Sequence, residues 1–283
     1  YDQLIAANRA ARQRTRDQED LADAADMAES ARLAYVAADY LDATHRYERA
    51  AALAPASARH ERWQYVVYQA DALAERGRLF NESQHLHEAV RIYNHVALPL
   101  ASRTSAPFDW AETQSYLGNA LQVLGARGDD QALQDALSTY RAALEVQTRA
   151  SAPTQWARTL NNLGVALETL GERGDAQALQ DAITAYRAAL EVHTRASSPA
   201  DWASTQNNLA IALQTLGARG DDQALQDAVT AYRAALEVRT RSSAPTQWAR
   251  TQNNLGNALL MLGQRGDDQA LQDAVTAYRA ALE

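Results

Sequence analysis

Four tryptophans, Trp110, Trp156, Trp202 and Trp248, stand 46 residues apart, and the text around them repeats almost word for word. From Pro153 to Ser198 the sequence reads PTQWARTLNNLGVALETLGERGDAQALQDAITAYRAALEVHTRASS. From Pro245 it reads PTQWARTQNNLGNALLMLGQRGDDQALQDAVTAYRAALE. A strict period of this length leaves little choice of architecture. One unit is too small to bury its own apolar face and must stack on the next. Arrays of this kind offer long surfaces and seldom do chemistry.

Within the unit, Trp156, Leu160, Leu163, Leu167 and Leu170 recur at helical spacing. At 100° per residue they fall within about 40° of one line, which predicts an amphipathic helix. Pro153 suits its first turn, where a missing N–H costs nothing. Gly171 and Gly174 close it, and Asp175 is placed to cap the next helix. Leu179, Ala182, Ile183, Tyr186, Ala189 and Leu190 form the second stripe. That helix is expected to run through Glu191–Thr194 and end near Pro199. Two antiparallel helices of about 18–20 residues result, each roughly 28 Å long.

The frame extends upstream more faintly. Trp63 precedes Ala89 by 26 residues, as Trp110 precedes Ala136, and Ala89, Tyr93 and Val96 continue the stripe. The next unit is offset by 47 residues, which places a one-residue insertion near Pro99–Pro107. Ala43, Tyr47 and Ala50 repeat the pattern once more. The expected organisation is an N-terminal helix or cap over 1–16, two divergent hairpins over 17–106, and four regular units over 107–283, the last truncated. The chain starts with Tyr and stops inside a repeat, so it is read as an excised piece of something longer.

Composition narrows the function classes. The net charge of −8 disfavours nucleic acid or an anionic membrane as main partner, since both need a basic face. No Cys is present, so there is no disulfide framework and no thiol chemistry. All 27 cationic side chains are Arg and Ala is abundant, the codon signature of a high-GC bacterium. Neither a signal peptide nor a run of about 18 apolar residues occurs, and the expected location is cytoplasmic.

The spacing Leu163-Gly164-x-x-Leu167 followed by Ala182-x-x-x-Tyr186-x-x-Ala189 resembles the tetratricopeptide repeat family. The text Leu160-Asn161-Asn162-Leu163-Gly164 is similar to the longer repeats of kinesin light chains. The resemblance covers 107–283 well and 17–106 moderately. It implies an all-α, right-handed superhelical solenoid of antiparallel helix hairpins. The family's usual unit has 34 residues. The excess here is assigned to the Gly171–Leu179 segment and to the helix ends around Trp156 and Val192.

Several motifs invite a functional reading. The Trp ladder lies on the leucine stripe and is expected to pack between repeats. Arg-Gly-Asp occurs at 127–129, 173–175, 219–221 and 265–267. It sits where a turn is required anyway, so turn chemistry outweighs adhesion. His85 and His87 point to different sides of a helix, and His87 and His95 have no evident Cys or carboxylate partner. No metal is therefore expected. No phosphate loop, nucleophile elbow or zinc spacing is present, so neither an enzyme nor a cofactor is predicted.

The strongest candidates are the paired asparagines Asn161 and Asn162, Asn207 and Asn208, Asn253 and Asn254. They lie about 140° and 240° from the leucine stripe, flanking the face opposite the core. Arg158 and Val165 fall between them, with Glu112 and Asn119, Ser204 and Ile211, Arg250 and Asn257 at the equivalent places. In the tetratricopeptide family this side of the first helix lines a concave groove, and in several members Asn ladders there hydrogen-bond the backbone of an extended peptide. An amide suits that role because it offers a donor and an acceptor. The competing reading is that the asparagines tie neighbouring helices together. Asn162, Asn208 and Asn254 are the expected main rungs, with Asn161, Asn207, Asn253, Asn119, Asn257, Arg158 and Arg250 in support. Ser115 and Tyr116 replace the pair in the first regular unit.

The expected function is a scaffold that holds a peptide or partner segment in this groove. Alternatives are a structural array that self-associates through its end faces, or a sensor arm of a larger bacterial enzyme. Contacts in such an array are between neighbours only. Deleting one whole unit, 153–198, should therefore leave a soluble helical protein of unchanged mean residue ellipticity; an insoluble product would contradict the modular reading.

Overall fold

The computed structural model describes residues 2–282. Among them every regular element is helical and no strand occurs. The chain divides into two compact units, one up to Val146 and one from Gln147 onward.

In the first unit, α1 (Asp2–Val36) and α2 (Tyr40–Leu53) form a hairpin. The expected boundary near residue 16 is absent, because α1 is one continuous helix of 35 residues. A second hairpin joins α3 (Arg59–Leu79) to α4 (Ser83–Ile92), which continues through a π turn (Tyr93–Ala97) into α5 (Leu98–Leu100). The third pairs α6 (Pro107–Ala126) with α7 (Asp130–Leu144). Between hairpins, α2 packs on α3, and α4 on α6.

The π turn holds the one-residue insertion. Tyr93 to Tyr140 is 47 residues, but Ala97 to Ala143 is 46, so the extra residue lies between Tyr93 and Ala97. A π turn adds one residue to a helix without breaking it. The core position is accordingly Ala97, fully buried, and not Val96, which is 38% exposed. The insertion therefore sits upstream of the expected Pro99–Pro107 segment.

The second unit contains α8 (Pro153–Glu172), α9 (Ala176–Leu190), α10 (Pro199–Ala218), α11 (Asp222–Leu236), α12 (Pro245–Gln264) and α13 (Asp268–Leu282). The pairs α8–α9, α10–α11 and α12–α13 are hairpins, α9 packs on α10, and α11 on α12. The first helices touch as well, α8 with α10 and α10 with α12. Each first helix opens on its proline, and the residue before it is extended, as a following proline requires.

The Arg-Gly-Asp triplets are consumed by the fold. Gly128, Gly174, Gly220 and Gly266 adopt φ between +105° and +112°, open to Gly at no steric cost. The next residue, aspartate, accepts from the backbone of Ala132, Ala178, Ala224 or Ala270 and caps the second helix. The arginine reaches the preceding repeat: Arg127 donates to Gly77 O, Arg219 to Gly171 O and Arg265 to Gly217 O.

The second helix is shorter than the stripe suggests. It has 15 residues and stops at Leu190, not near Pro199. Beyond it, Ser197 N donates to Thr194 Oγ1 at 3.0 Å and Ser197 Oγ donates to Val192 O at 3.0 Å. These local hydroxyl bonds offer the backbone an alternative to helix. The long unit thus arises from a first helix of 20 residues and an ordered turn over 191–198. The inter-helix segment adds little, since only Arg173–Asp175 separates the two helices.

Tyr140, Tyr186 and Tyr232 are fully buried between the helices of a hairpin. Glycine makes room for two of them: a Cβ on Gly118 would lie 2.6 Å from Tyr140, and one on Gly164 would lie 2.5 Å from Tyr186. At the equivalent place before Tyr232 the chain has Ala210. The tryptophans pack less deeply than expected. Trp63 is buried, but Trp110, Trp156, Trp202 and Trp248 are half-buried. Truncating Trp156 or Trp202 should then cost less than the roughly 3–5 kcal/mol of a buried aromatic. The close approach at Gly164 is the stronger constraint. Gly164→Val should destabilise by about 1–3 kcal/mol through overpacking against Tyr186, seen as a lowered denaturation midpoint; an unchanged midpoint would show that the tyrosine can move aside.

Candidate functional site

On the face of α8, α10 and α12 away from the leucines, the asparagines divide into distinct environments. Asn161 and Asn162 are half-buried. Asn161 Nδ2 donates to Asn162 Oδ1 at 3.3 Å, and Asn208 Nδ2 donates to Asn161 Oδ1 at 3.1 Å. The amides of neighbouring repeats are therefore linked side to side. Asn254 is half-buried and Asn253 exposed. Asn207 departs from the expectation: it is 2% exposed, and its Oδ1 accepts from Thr251 Oγ1 at 3.1 Å. Asn207 is an inter-repeat tie and too enclosed to be a ladder rung.

The supporting asparagines are bonded to the tyrosine row. Asn257 Oδ1 accepts from Tyr278 at 2.7 Å, and in the first unit Asn119 Oδ1 accepts from Tyr140 at 2.8 Å. Arg158 and Arg250 are exposed on the same helices.

A row of buried polar residues accompanies this face and was not singled out from sequence. Thr113, Thr159, Thr205 and Thr251 are at most 1% exposed and recur every 46 residues. In the first unit Trp63 Nε1 donates to Thr113 Oγ1 at 2.8 Å. In the second, the partner comes from the turn after the preceding second helix, and its identity changes. Thr159 Oγ1 donates to Gln147 Oε1 at 2.7 Å. His193 Nδ1 lies 3.3 Å from Thr205 Oγ1. Arg239 Nη1 donates to Thr251 Oγ1 at 3.1 Å. Gln, His and Arg at one position of near-identical repeats was a signal available in the sequence: variation within an otherwise strict repeat. Burial lowers the His193 pKa from its ordinary value, with Arg158 acting in the same direction against Asp201. Burial also lowers that of Arg239, with Arg250 adding to it.

A second row is set by the tyrosine hydroxyls. The Tyr140 hydroxyl lies 3.0 Å from Gln122 Oε1 and shares its one proton between that oxygen and Asn119 Oδ1, while Tyr232 donates to Gln214 at 2.8 Å and Tyr186 to Glu168 at 2.8 Å. Glu168 is 9% exposed. Burial pushes its pKa up to about 7, the Tyr186 hydrogen bond opposing this and Glu172 reinforcing it. Among the described residues no group of three or more His, Cys, Asp or Glu could hold a metal ion. Among the described residues no helix is long and apolar enough to cross a membrane.

The raised pKa has a defined consequence for stability. A carboxyl titrating near 4.5 when unfolded and about 7 when folded favours the native state fully below pH 4.5. That advantage is lost as pH rises through 7, and amounts to about 3 kcal/mol at most. Glutamine fits the site, as Gln122 and Gln214 show. Glu168→Gln should therefore raise the melting temperature at pH 8 and leave it little changed at pH 4.5. Equal shifts at both pH values would show that Glu168 is not buried as a titrating acid.

Comparison with known proteins is consistent with this geometry. Residues 156–199 match the family model described as tetratricopeptide repeat. No curated protein sequence matches the chain. The crystal structure of BtubC (BKLC) from P. vanneervenii superposes with a TM-score of 0.53 at 20% identity, covering 94% of this chain and 92% of that one. A structure described as a kinesin light chain from Podosopora anserina, with nearly identical TPR-like repeats, gives a TM-score of 0.55 at 20% identity. It covers 75% of this chain and 93% of its own. At such identities the likeness concerns the fold. The 46-residue hairpin repeat, with its tyrosine row packed on glycine, is thus similar to the tetratricopeptide repeat over the one unit that the family model matches, 156–199, and shares its fold with repeat structures of the kinesin-light-chain kind.

Proposed function

We propose that this chain is a protein–protein interaction scaffold, and that the face of α8, α10 and α12 binds an extended segment of a partner. Tetratricopeptide repeats generally mediate protein–protein contacts. The observation that carries the finer reading is the Asn162, Asn208 and Asn254 series. One amide recurs at the same place in three successive first helices, on a side that the leucines do not use. Neighbouring packed helices lie about 8–10 Å apart, and an extended chain advances about 3.3 Å per residue. One amide per helix therefore meets a peptide backbone about every third residue. Each amide can pair with both a peptide C=O and N–H. Asn161, Asn253 and Asn257 support this row, Arg158 and Arg250 supply charge at its edge, and Asn119 is the counterpart in the first unit.

The test starts from a peptide library or pull-down to supply the ligand. A variant with Asn162, Asn208 and Asn254 all changed to Ala is then compared with the parent by calorimetry. At about 0.5–1.5 kcal/mol per lost hydrogen bond, and allowing for non-additivity, affinity should fall by about tenfold to a thousandfold. The melting temperature should change little, because none of the three is a core residue. Asn207→Ala should do the reverse and lower stability, since it strips a partner from Thr251. Unaltered binding by the triple variant would remove the ladder from the site.

A further inference from the structure

Arg239 occupies a position where charge is not needed for packing. In the preceding repeats Gln147 and His193 make the equivalent contact with Thr159 and Thr205 as neutral groups. A buried guanidinium loses hydration that a glutamine would not miss. Arg239 is 8% exposed, its hydrogen bonds go to the hydroxyls of Thr251 and Ser204, and no carboxylate lies within ion-pair distance among the described residues. The residue next to its Thr251 partner in the chain is another cation, Arg250, which acts on it in the same direction as burial.

The surroundings adapt to bring this guanidinium to the candidate face. First helices carry an exposed arginine at Arg158 and Arg250, but the helix between them carries Ser204 at the equivalent place. The short side chain leaves room, and Arg239 Nη2 extends across to Ser204 Oγ at 3.1 Å. The repeat that lacks the first-helix arginine thus receives one from the end of α11. Thr251, held by Gln247 O and Asn207, fixes the other end of the fork. A guanidinium held by hydroxyls beside a second guanidinium is arranged for a planar or tetrahedral oxyanion, which supplies the charge the protein withholds.

We propose that Arg239, Arg250 and Ser204 form an oxyanion-binding subsite, for a carboxylate or a phosphate group carried by the partner. The proposal rests on the scaffold reading only for where the anion comes from. Binding of a small anion by the free protein tests it separately.

The test uses the whole chain at pH 7 and constant ionic strength, titrated in turn with inorganic phosphate and with glutarate. The Arg239 Nε–H resonance and the melting temperature are followed. Wild type should give a saturable resonance shift and a rise in melting temperature with at least one of them, and the tighter of the two identifies phosphate or carboxylate. Arg239→Gln, which copies Gln147, should keep the fold and lose the stabilisation; Arg250→Gln should weaken it by about tenfold. No saturable shift with either anion would overturn the proposal, as would equal stabilisation of wild type and Arg239→Gln. The wild-type resonance decides the matter even if a variant fails to fold.

Discussion

The tyrosine of each regular hairpin, fully buried as Tyr140, Tyr186 and Tyr232 and half-buried as Tyr278, is the contact on which the rest of the structure depends. A tyrosine placed inside an apolar core must find a partner for its hydroxyl. Gly118 and Gly164 let the ring pass close to the first helix, and the hydroxyl emerges against a polar group on that helix. The same side chain therefore sets the distance between paired helices and anchors Gln122, Glu168 or Gln214. Core and candidate site are joined through one residue per repeat. In the divergent hairpin Tyr93 is equally buried, but its hydroxyl has no partner and its ring stacks on Tyr116.

Local features were legible in the sequence. Proline at a helix start, the Gly-Asp turn and the two apolar stripes each depend on a few adjacent residues, and all are found where the repeat places them. The end of the second helix was missed because Ser197 and Thr194 hydroxyls compete with helical bonding there. The register of Ala97 was missed because a π turn leaves the helix unbroken while shifting its face. Asn207 was placed on an open face by measuring angles from a single leucine stripe. That reckoning gives a helix one neighbour. In the array α10 touches α8, α9, α11 and α12, so residues well away from the stripe are still enclosed.

Near-identity of the units makes the exceptions informative. Polar ties between repeats are filled by Gln147, His193 and Arg239 at one position, and ties within a hairpin by Gln122, Glu168 and Gln214 at another. Stacking tolerates the neutral members of each set. The charged members, Glu168 and Arg239, are less favourable buried. The array is thus uniform in how it folds and non-uniform in the polar groups it encloses.

The central claim is that partners meet the first helices, on the side bearing the asparagines. A photo-crosslinking amino acid installed at Asn208 on α10, and separately at exposed Thr230 on α11, tests it directly once a partner has been captured. The account predicts a crosslinked product from position 208 and none from 230. Crosslinking from 230 with none from 208 would place the binding surface on the second helices and contradict it.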